Sequence, residues 1–254
     1  MNKYQTPYFL IIAVIIFPCI GCQRKALQPS VDSSPIIISA PTPTVNIVSP
    51  ENRKKAAQLR QLGLEYRQQG QIKQAIKSLN QSVTLDPKNL SGLVILGWTY
   101  HLNKQPEIAI KTLDQALAID KNHVPALNAL GIVYLVNNNL NKAVETHNKA
   151  IDLKPDNEIA HYNLSLAYHR LQQYSQAQIH GKKATSLEPD NPHPWVALAL
   201  IYWQQNNVKL AQEAYNKAIV LDGRYGQIAF LDHLETAGFS LEQLEQTKKF
   251  LQTY

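Results

Sequence analysis

Leu96-Gly97-Trp98-Thr99-Tyr100 is followed 34 residues later by Leu130-Gly131-Ile132-Val133-Tyr134. The same frame stands one period upstream, at Leu62-Gly63-Leu64-Glu65-Tyr66. It recurs twice downstream, at Leu164-Ser165-Leu166-Ala167-Tyr168 and Leu198-Ala199-Leu200-Ile201-Tyr202. Five copies at one fixed period mean a single supersecondary unit stacked on itself. Further columns keep the register. Alanine stands nine residues after each tyrosine, at Ala75, Ala109, Ala143, Ala177 and Ala211. A small side chain follows at Ser82, Ala116, Ala150, Ala184 and Ala218, and a large aliphatic one at Leu85, Ile119, Leu153, Leu187 and Leu221.

The spacing dictates helices. Leucine and tyrosine are i, i+4, one face of one helix, and Ala143 and Ala150 are i, i+7 on the next. Small residues at recurring contact points let the two helices approach closely. Polar runs such as Gln68-Gln69-Gly70, Asn137-Asn138-Asn139 and Gln205-Asn206-Asn207 mark the short turn between them. Each unit is a helical hairpin that cannot bury its face alone and needs neighbours.

This grid, from LxxGxxY through the mid-repeat alanine to a closing proline at Pro87, Pro155 and Pro189, resembles the tetratricopeptide repeat family over residues 56–225. The departures are few. Lys121 and Gly223 replace the closing proline, Ser165 and Ala199 replace glycine, and His147 and Gly181 occupy a usually large apolar column. The resemblance implies an all-α, right-handed superhelical solenoid of helical hairpins. Its five units span 56–89, 90–123, 124–157, 158–191 and 192–225, within a repeat region 50–225. Ser49 suits an N-cap and Pro50 the first turn of the first helix.

The ends read differently. Tyr8 to Phe17 is an apolar run after a positively charged start, too short for a comfortable bilayer span of about 20 residues. Residues 1–21 have the three parts of a secretory signal peptide. Ile20-Gly21-Cys22 resembles a bacterial lipobox, which implies lipidation at Cys22, although Cys19 stands where that motif usually has leucine. An uncleaved anchor and soluble secretion are the competing readings. No cysteine occurs beyond residue 22, so the mature chain could hold no internal disulfide. Residues 22–49, with Pro29, Pro35, Pro41 and Pro43, read as an extended linker. After Tyr225 the period fails. Ile228, Leu231 and Leu234 predict one helix ending at Gly238, and Ser240 with Gln243 a capping box for another. Together 226–254 read as C-terminal capping helices, the polar cover that a terminal repeat needs.

In the family the first helix of each unit lines the concave side. Residues flanking the tyrosine there are Arg60, Leu64 and Arg67, then Val94, Trp98 and His101, then Asn128, Ile132 and Leu135, then Tyr162, Leu166 and His169, then Val196, Leu200 and Trp203. The resulting expectation is a peptide-binding groove, apolar and aromatic in the middle and basic at its N-terminal end, with a protein or peptide as partner. Tryptophan is a usual anchor at such surfaces. The competing reading is that Trp98 and Trp203 pack between helices. Trp195 lies in the column that packs within the unit. The family's carboxylate clamp has no matching set of Lys, Asn and Arg here.

The net charge of +6 is an N-terminal property. Residues 51–89 carry eight Lys/Arg against Glu51, Glu65 and Asp86, whereas 90–254 carry fourteen basic and fifteen acidic residues. A basic patch beside the tether suits anionic headgroups or an acidic partner, and a solvated basic face is the bland alternative. Nucleic acid fits poorly because the charge is short-ranged along the chain. No HExxH, CxxC, GxSxG or phosphate loop occurs, and His161 and His169 are about 12 Å apart along one helix. The sequence predicts no enzyme, no metal site and no cofactor. It predicts a membrane-anchored, extracytoplasmic repeat scaffold of bacterial cell-envelope type that supports assembly of a membrane complex. A pilotin-like lipoprotein for a secretin, a peptidoglycan-hydrolase adaptor and a photosynthetic-membrane assembly factor are the alternatives.

Overall fold

The computed structural model of the chain describes residues 48–253. Cys22, the N-terminal apolar stretch and nearly all of the proline-rich linker lie outside them. Ten α-helices run in five hairpins: α1 (Pro50–Gln68) with α2 (Ile72–Leu85), α3 (Leu90–Leu102) with α4 (Pro106–Ile119), α5 (Val124–Val136) with α6 (Leu140–Leu153), α7 (Glu158–Arg170) with α8 (Tyr174–Leu187), and α9 (Pro192–Gln204) with α10 (Val208–Leu221). Two 3₁₀ helices, Gly223–Gly226 and Ile228–Ala237, lead to α11 (Leu241–Thr253). Among the described residues there is no strand, and no helix is long and apolar enough to cross a membrane.

Local chemistry sets the boundaries. Ser49 Oγ accepts the Asn52 N–H at 3.1 Å and Pro50 opens α1. Asn89, Asn157 and Asn191, one period or two apart, cap α3, α7 and α9 through side-chain oxygens. His123 holds the same place before α5 and makes no cap hydrogen bond. Every turn inside a hairpin contains one left-handed residue at the same register: Gly70, Lys104, Asn138, Gln172 and Asn206, with φ between 57° and 73°. A glycine meets that demand only in the first unit. Elsewhere the turn imposes a conformation that costs an L-residue about 1–2 kcal/mol.

The columns interlock as a small residue on the first helix against a large one on the second. A Cβ added at Gly63 would lie 2.6 Å from Leu79 Cγ, and one at Gly97 2.7 Å from Leu113 Cγ. At Gly131 the large partner is His147, whose Nε2 would be 2.5 Å away. In the fourth unit both positions are small: Ser165 stands on the first helix and Gly181 on the second, and the space beside Gly181 is taken by Leu198 and Ile201 of α9, whose methyls would lie 3.3 and 3.4 Å from an added Cβ. The mid-repeat alanines are all 0 % exposed, as close helix approach requires. Tyrosines reach across to the preceding unit: Asn80 Nδ2 donates to Tyr100 Oη at 2.8 Å, and Asn148 Nδ2 to Tyr168 Oη at 3.4 Å. The leucine column is buried except Leu62, at 37 %, because no described helix packs on the outer side of α1. The large aliphatic column ends the second helices, and Ile119, Leu153 and Leu221 there are exposed rather than core.

The C-terminal segment departs from its sequence reading in two ways. Residues 228–237 form a 3₁₀ helix, not an α-helix. The strict three-residue spacing of Ile228, Leu231 and Leu234 suits a three-residue turn, which superimposes i and i+3. Gly238, at φ 92°, then ends that helix, and the Ser240–Gln243 capping box forms with both reciprocal bonds, at 3.1 and 3.2 Å. Second, the segment does more than cover the end of the stack. Exposed Glu242, Glu245 and Lys249 face water, while Leu231, Leu234, Phe239, Leu244 and Phe250 join one core with α5, α7, α9 and α10.

Candidate functional site

The first helices of successive units touch one another, α3 with α5, α5 with α7 and α7 with α9, whereas the second helices do not pair to that extent. The first helices are therefore the crowded inner layer of the curve, and their outward stripes line its concave side. Along that side the fifteen residues singled out by sequence divide into two groups.

The C-terminal group is covered by the chain itself. Tyr162 Oη donates to Ala237 O at 2.7 Å. Gln243 Nε2 lies 3.3 Å from Leu166 O and 3.1 Å from His169 Nδ1. That nitrogen accepts, so the His169 proton sits on Nε2. Leu135 and Leu166 are buried at the place where Gly238 passes, and Val196 and Leu200 are likewise core. Trp203 meets Phe250 with ring centroids 5.6 Å apart. Burial holds His169 down to about 4 and pushes the Tyr162 phenol well up. These side chains form the seat of the C-terminal segment; all but Trp203, which is half-buried and lines an open pocket with Gln204, Asn206, Gln246 and Lys249, are withdrawn from an outside ligand.

The N-terminal group is open. Arg60, Leu64, Arg67, Trp98, His101 and Ile132 are half-buried, over a floor that includes Val94 at 5 %. The Trp98 and His101 rings tilt together at 4.9 Å. Burial lowers the Arg67 guanidinium and the His101 imidazole from their ordinary ranges. Arg60 Nη1 is buried and without a partner. Asn128 is the exception: it exchanges two hydrogen bonds with Asn157, at 2.9 and 3.2 Å, and so braces the cap of α7 instead of facing a ligand. Trp195, read from sequence as packing, donates its indole N–H to Pro189 O at 2.9 Å and packs on the C-terminal core.

His161 and His180 pair with each other: His161 Nε2 donates to Pro155 O at 2.9 Å, so His161 Nδ1 accepts the hydrogen bond that His180 Nδ1–H donates across 3.0 Å. Among the described residues no group of three or more His, Cys, Asp or Glu is placed to hold a metal ion. The residues that sequence reasoning missed are Phe239, Gln243 and Phe250. The Ser240–Gln243 capping box located that helix but carried no information on where it would dock.

Comparison with known proteins agrees with this architecture. Three family profiles match, described as TPR repeat over residues 136–172 and as tetratricopeptide repeat over 66–131 and over 159–191 and 192–225. A crystal structure of MamA protein aligns at a TM-score of 0.57 with 23 % identity, covering 67 % of this chain and 93 % of its own. MamA from Desulfovibrio magneticus RS-1 aligns at 0.60 with 21 % identity, covering 66 % and 96 %. At such identity the likeness is one of fold. No curated protein matches the chain.

Proposed function

The chain belongs to the tetratricopeptide-repeat family, and we propose that it is a scaffold that binds another protein in the part of its concave groove formed by α1, α3 and α5. One observation carries this reading. The lining of α7 and α9, with Leu135 of α5, is taken up by residues 226–253, while that of α1 and α3, with Ile132 of α5 and with Trp98 resting half-buried on the core of α3, α4 and α5, is not. Stacked repeats offer long surfaces and bring few reactive groups together, which favours binding over catalysis.

Trp98 is the expected anchor. Burying a tryptophan in a groove supplies large area at low entropic cost, and its removal commonly costs about 2 kcal/mol or more, roughly 30-fold in affinity. The test is a pull-down from detergent-solubilised membranes with the full chain as bait. Trp98→Ala should lose the bound protein while keeping the helical circular-dichroism signal. Retention of every partner by Trp98→Ala would move the search to the convex face.

The second part of the reading is the tether. Ile20-Gly21-Cys22 after a short apolar run supports a lipid-anchored, extracytoplasmic protein whose linker holds the repeat body near a membrane and serves assembly of an envelope complex there. Labelled palmitate should enter the wild type and not Cys22→Ala; unlabelled protein retaining residues 1–21 would favour the uncleaved anchor.

A further inference from the structure

Arg53, Arg60 and Arg67 recur every seven residues along α1, with Leu64 between the last two. At about 100° per residue they share one stripe, and Glu51 and Glu65 fall roughly 140–180° around the helix from it. Neither α3 nor α5 contains a single aspartate or glutamate. The open half of the groove therefore has three arginines on one wall and no carboxylate on the stripes that face them. All ion pairs among the described residues lie between Lys154 and Lys248, beyond this region. Arg60 Nη1 is shielded from water with no acceptor, and Arg67 is shifted by desolvation alone. A guanidinium taken partly out of water without a partner is unfavourable until a carboxylate arrives.

The apolar half of the site lies next to this wall. Trp98 on α3 and Ile132 on α5 are half-buried, as is Leu64 on α1. Helix axes in direct contact, as α3 and α5 are, lie about 8–10 Å apart, so a path across α1, α3 and α5 spans at least roughly 20 Å, about six or more residues of extended chain at ~3.3 Å each. The groove stops there, because Gly238 and the residues after it lie over Leu135 and Leu166.

We infer that the open half of the groove recognises a short acidic segment of a partner protein, with carboxylates on Arg60 and Arg67 and a large apolar side chain, about three residues away, on Trp98 and Ile132. This rests on the groove-binding reading and specifies the partner for it. The charge decides the class of segment, and the half-buried concave seat of Trp98, Arg60 and Arg67 favours a chain that enters the groove over a flat headgroup surface.

The probe is a fluorescein-labelled synthetic peptide amide of three glutamates, one glycine, leucine and phenylalanine, titrated with the full chain by anisotropy. The amide removes the terminal carboxylate, so internal acids alone are tested. Binding should saturate and weaken at least about fivefold between about 50 mM and about 300 mM salt. Trp98→Ala, and Arg60→Gln with Arg67→Gln, should each weaken it at least about tenfold, whereas Lys111→Gln on exposed α4 should leave it unchanged. Peptides with lysine for glutamate, or alanine for both leucine and phenylalanine, should fail on the wild-type protein, a comparison that needs no variant to fold. A lysine peptide bound as well as the acidic one, and still lost on Trp98→Ala, would overturn the acidic assignment and leave the groove reading standing. Loss of every peptide, with Arg60- and Arg67-dependent sedimentation on phosphatidylserine vesicles, would overturn it in favour of a membrane surface.

Discussion

Replacing His147 by leucine should stabilise this protein, and the gain should grow as the pH falls. His147 is 0 % exposed and both ring nitrogens are buried without a partner. Its ring rests on Gly131, where Leu79 rests on Gly63 and Leu113 on Gly97, so a leucine there repeats a packing the fold already uses twice. An unmet buried donor or acceptor costs about 1–3 kcal/mol. His147→Leu should then gain roughly 2 kcal/mol near pH 7.5, or about 4–8 °C in Tm for a body of this size. Burial also pushes the imidazole down to about 3 from 6.5. The unfolded chain takes up this proton first. Stability from this site is thus fully present above pH 6.5 and is lost as the pH falls towards 3, at about 1.4 kcal/mol per unit. The assay is thermal unfolding by circular dichroism at pH 7.5 and pH 5. The wild type should lose more on acidification than His147→Leu, by about 2 kcal/mol. The remaining acid loss in the variant includes that of His169, His180 and His193, each held near 4 chiefly by burial, and of His101 and His123, which burial also lowers. A variant melting at or below wild type at pH 7.5, with an unchanged pH dependence, would refute the reasoning.

Other perturbations follow from the repeat geometry. Lys104→Gly and Gln172→Gly relieve left-handed turn residues at φ 57° and 58° and should each raise stability by about 1 kcal/mol in denaturant melts; a loss at both would mean the turn gains nothing from glycine. Gly97→Leu drives a side chain into Leu113 and should cost about 1–3 kcal/mol or more, spread to neighbouring units by nearest-neighbour coupling; an unchanged melt would show the contact to be loose. Phe250→Ala removes a side chain wedged against Trp203 and Tyr215 and should cost about 3–5 kcal/mol. Hydrogen exchange should then rise in α9, α10 and α11 while α1 to α4 keep their protection; uniform loss would show the body unfolding as one unit.

The hairpins were legible because each repeats the same local chemistry five times. Ser49-Pro50 and the polar turns each act within a few residues, so their spacing located those helix ends; the caps at Asn89, Asn157 and Asn191 are equally local and emerged only in the structure. Ser165 and Gly181 appeared in sequence as two unrelated departures, since only the folded structure shows that they face each other and that Leu198 and Ile201 of α9 fill the space beside them. The path of residues 226–253 was not legible. Their docking joins Gln243 to Leu166 and His169, and Ala237 to Tyr162, across more than seventy residues, and no periodicity constrains such a contact. That one event removed half of the expected groove. Leu135, Tyr162, Leu166, His169 and Trp203 carry the signature of a ligand surface because they do bind a segment, one that belongs to their own chain. Asn128 likewise looked free on its helix, and only the arrival of Asn157 engages it.

On the proposed function, outside partners are expected to meet the open half of the concave face and no other part of it. Site-specific photocrosslinking in cells tests it, with benzoylphenylalanine placed in turn at Leu64 in the open groove, at Tyr162 beneath the C-terminal segment, and at Lys111 on the exposed side of α4. A crosslink to another protein is expected from Leu64, a crosslink within the chain to residues near Ala237 from Tyr162, and none from Lys111. A partner captured from Tyr162 or Lys111 while Leu64 stays silent would contradict it.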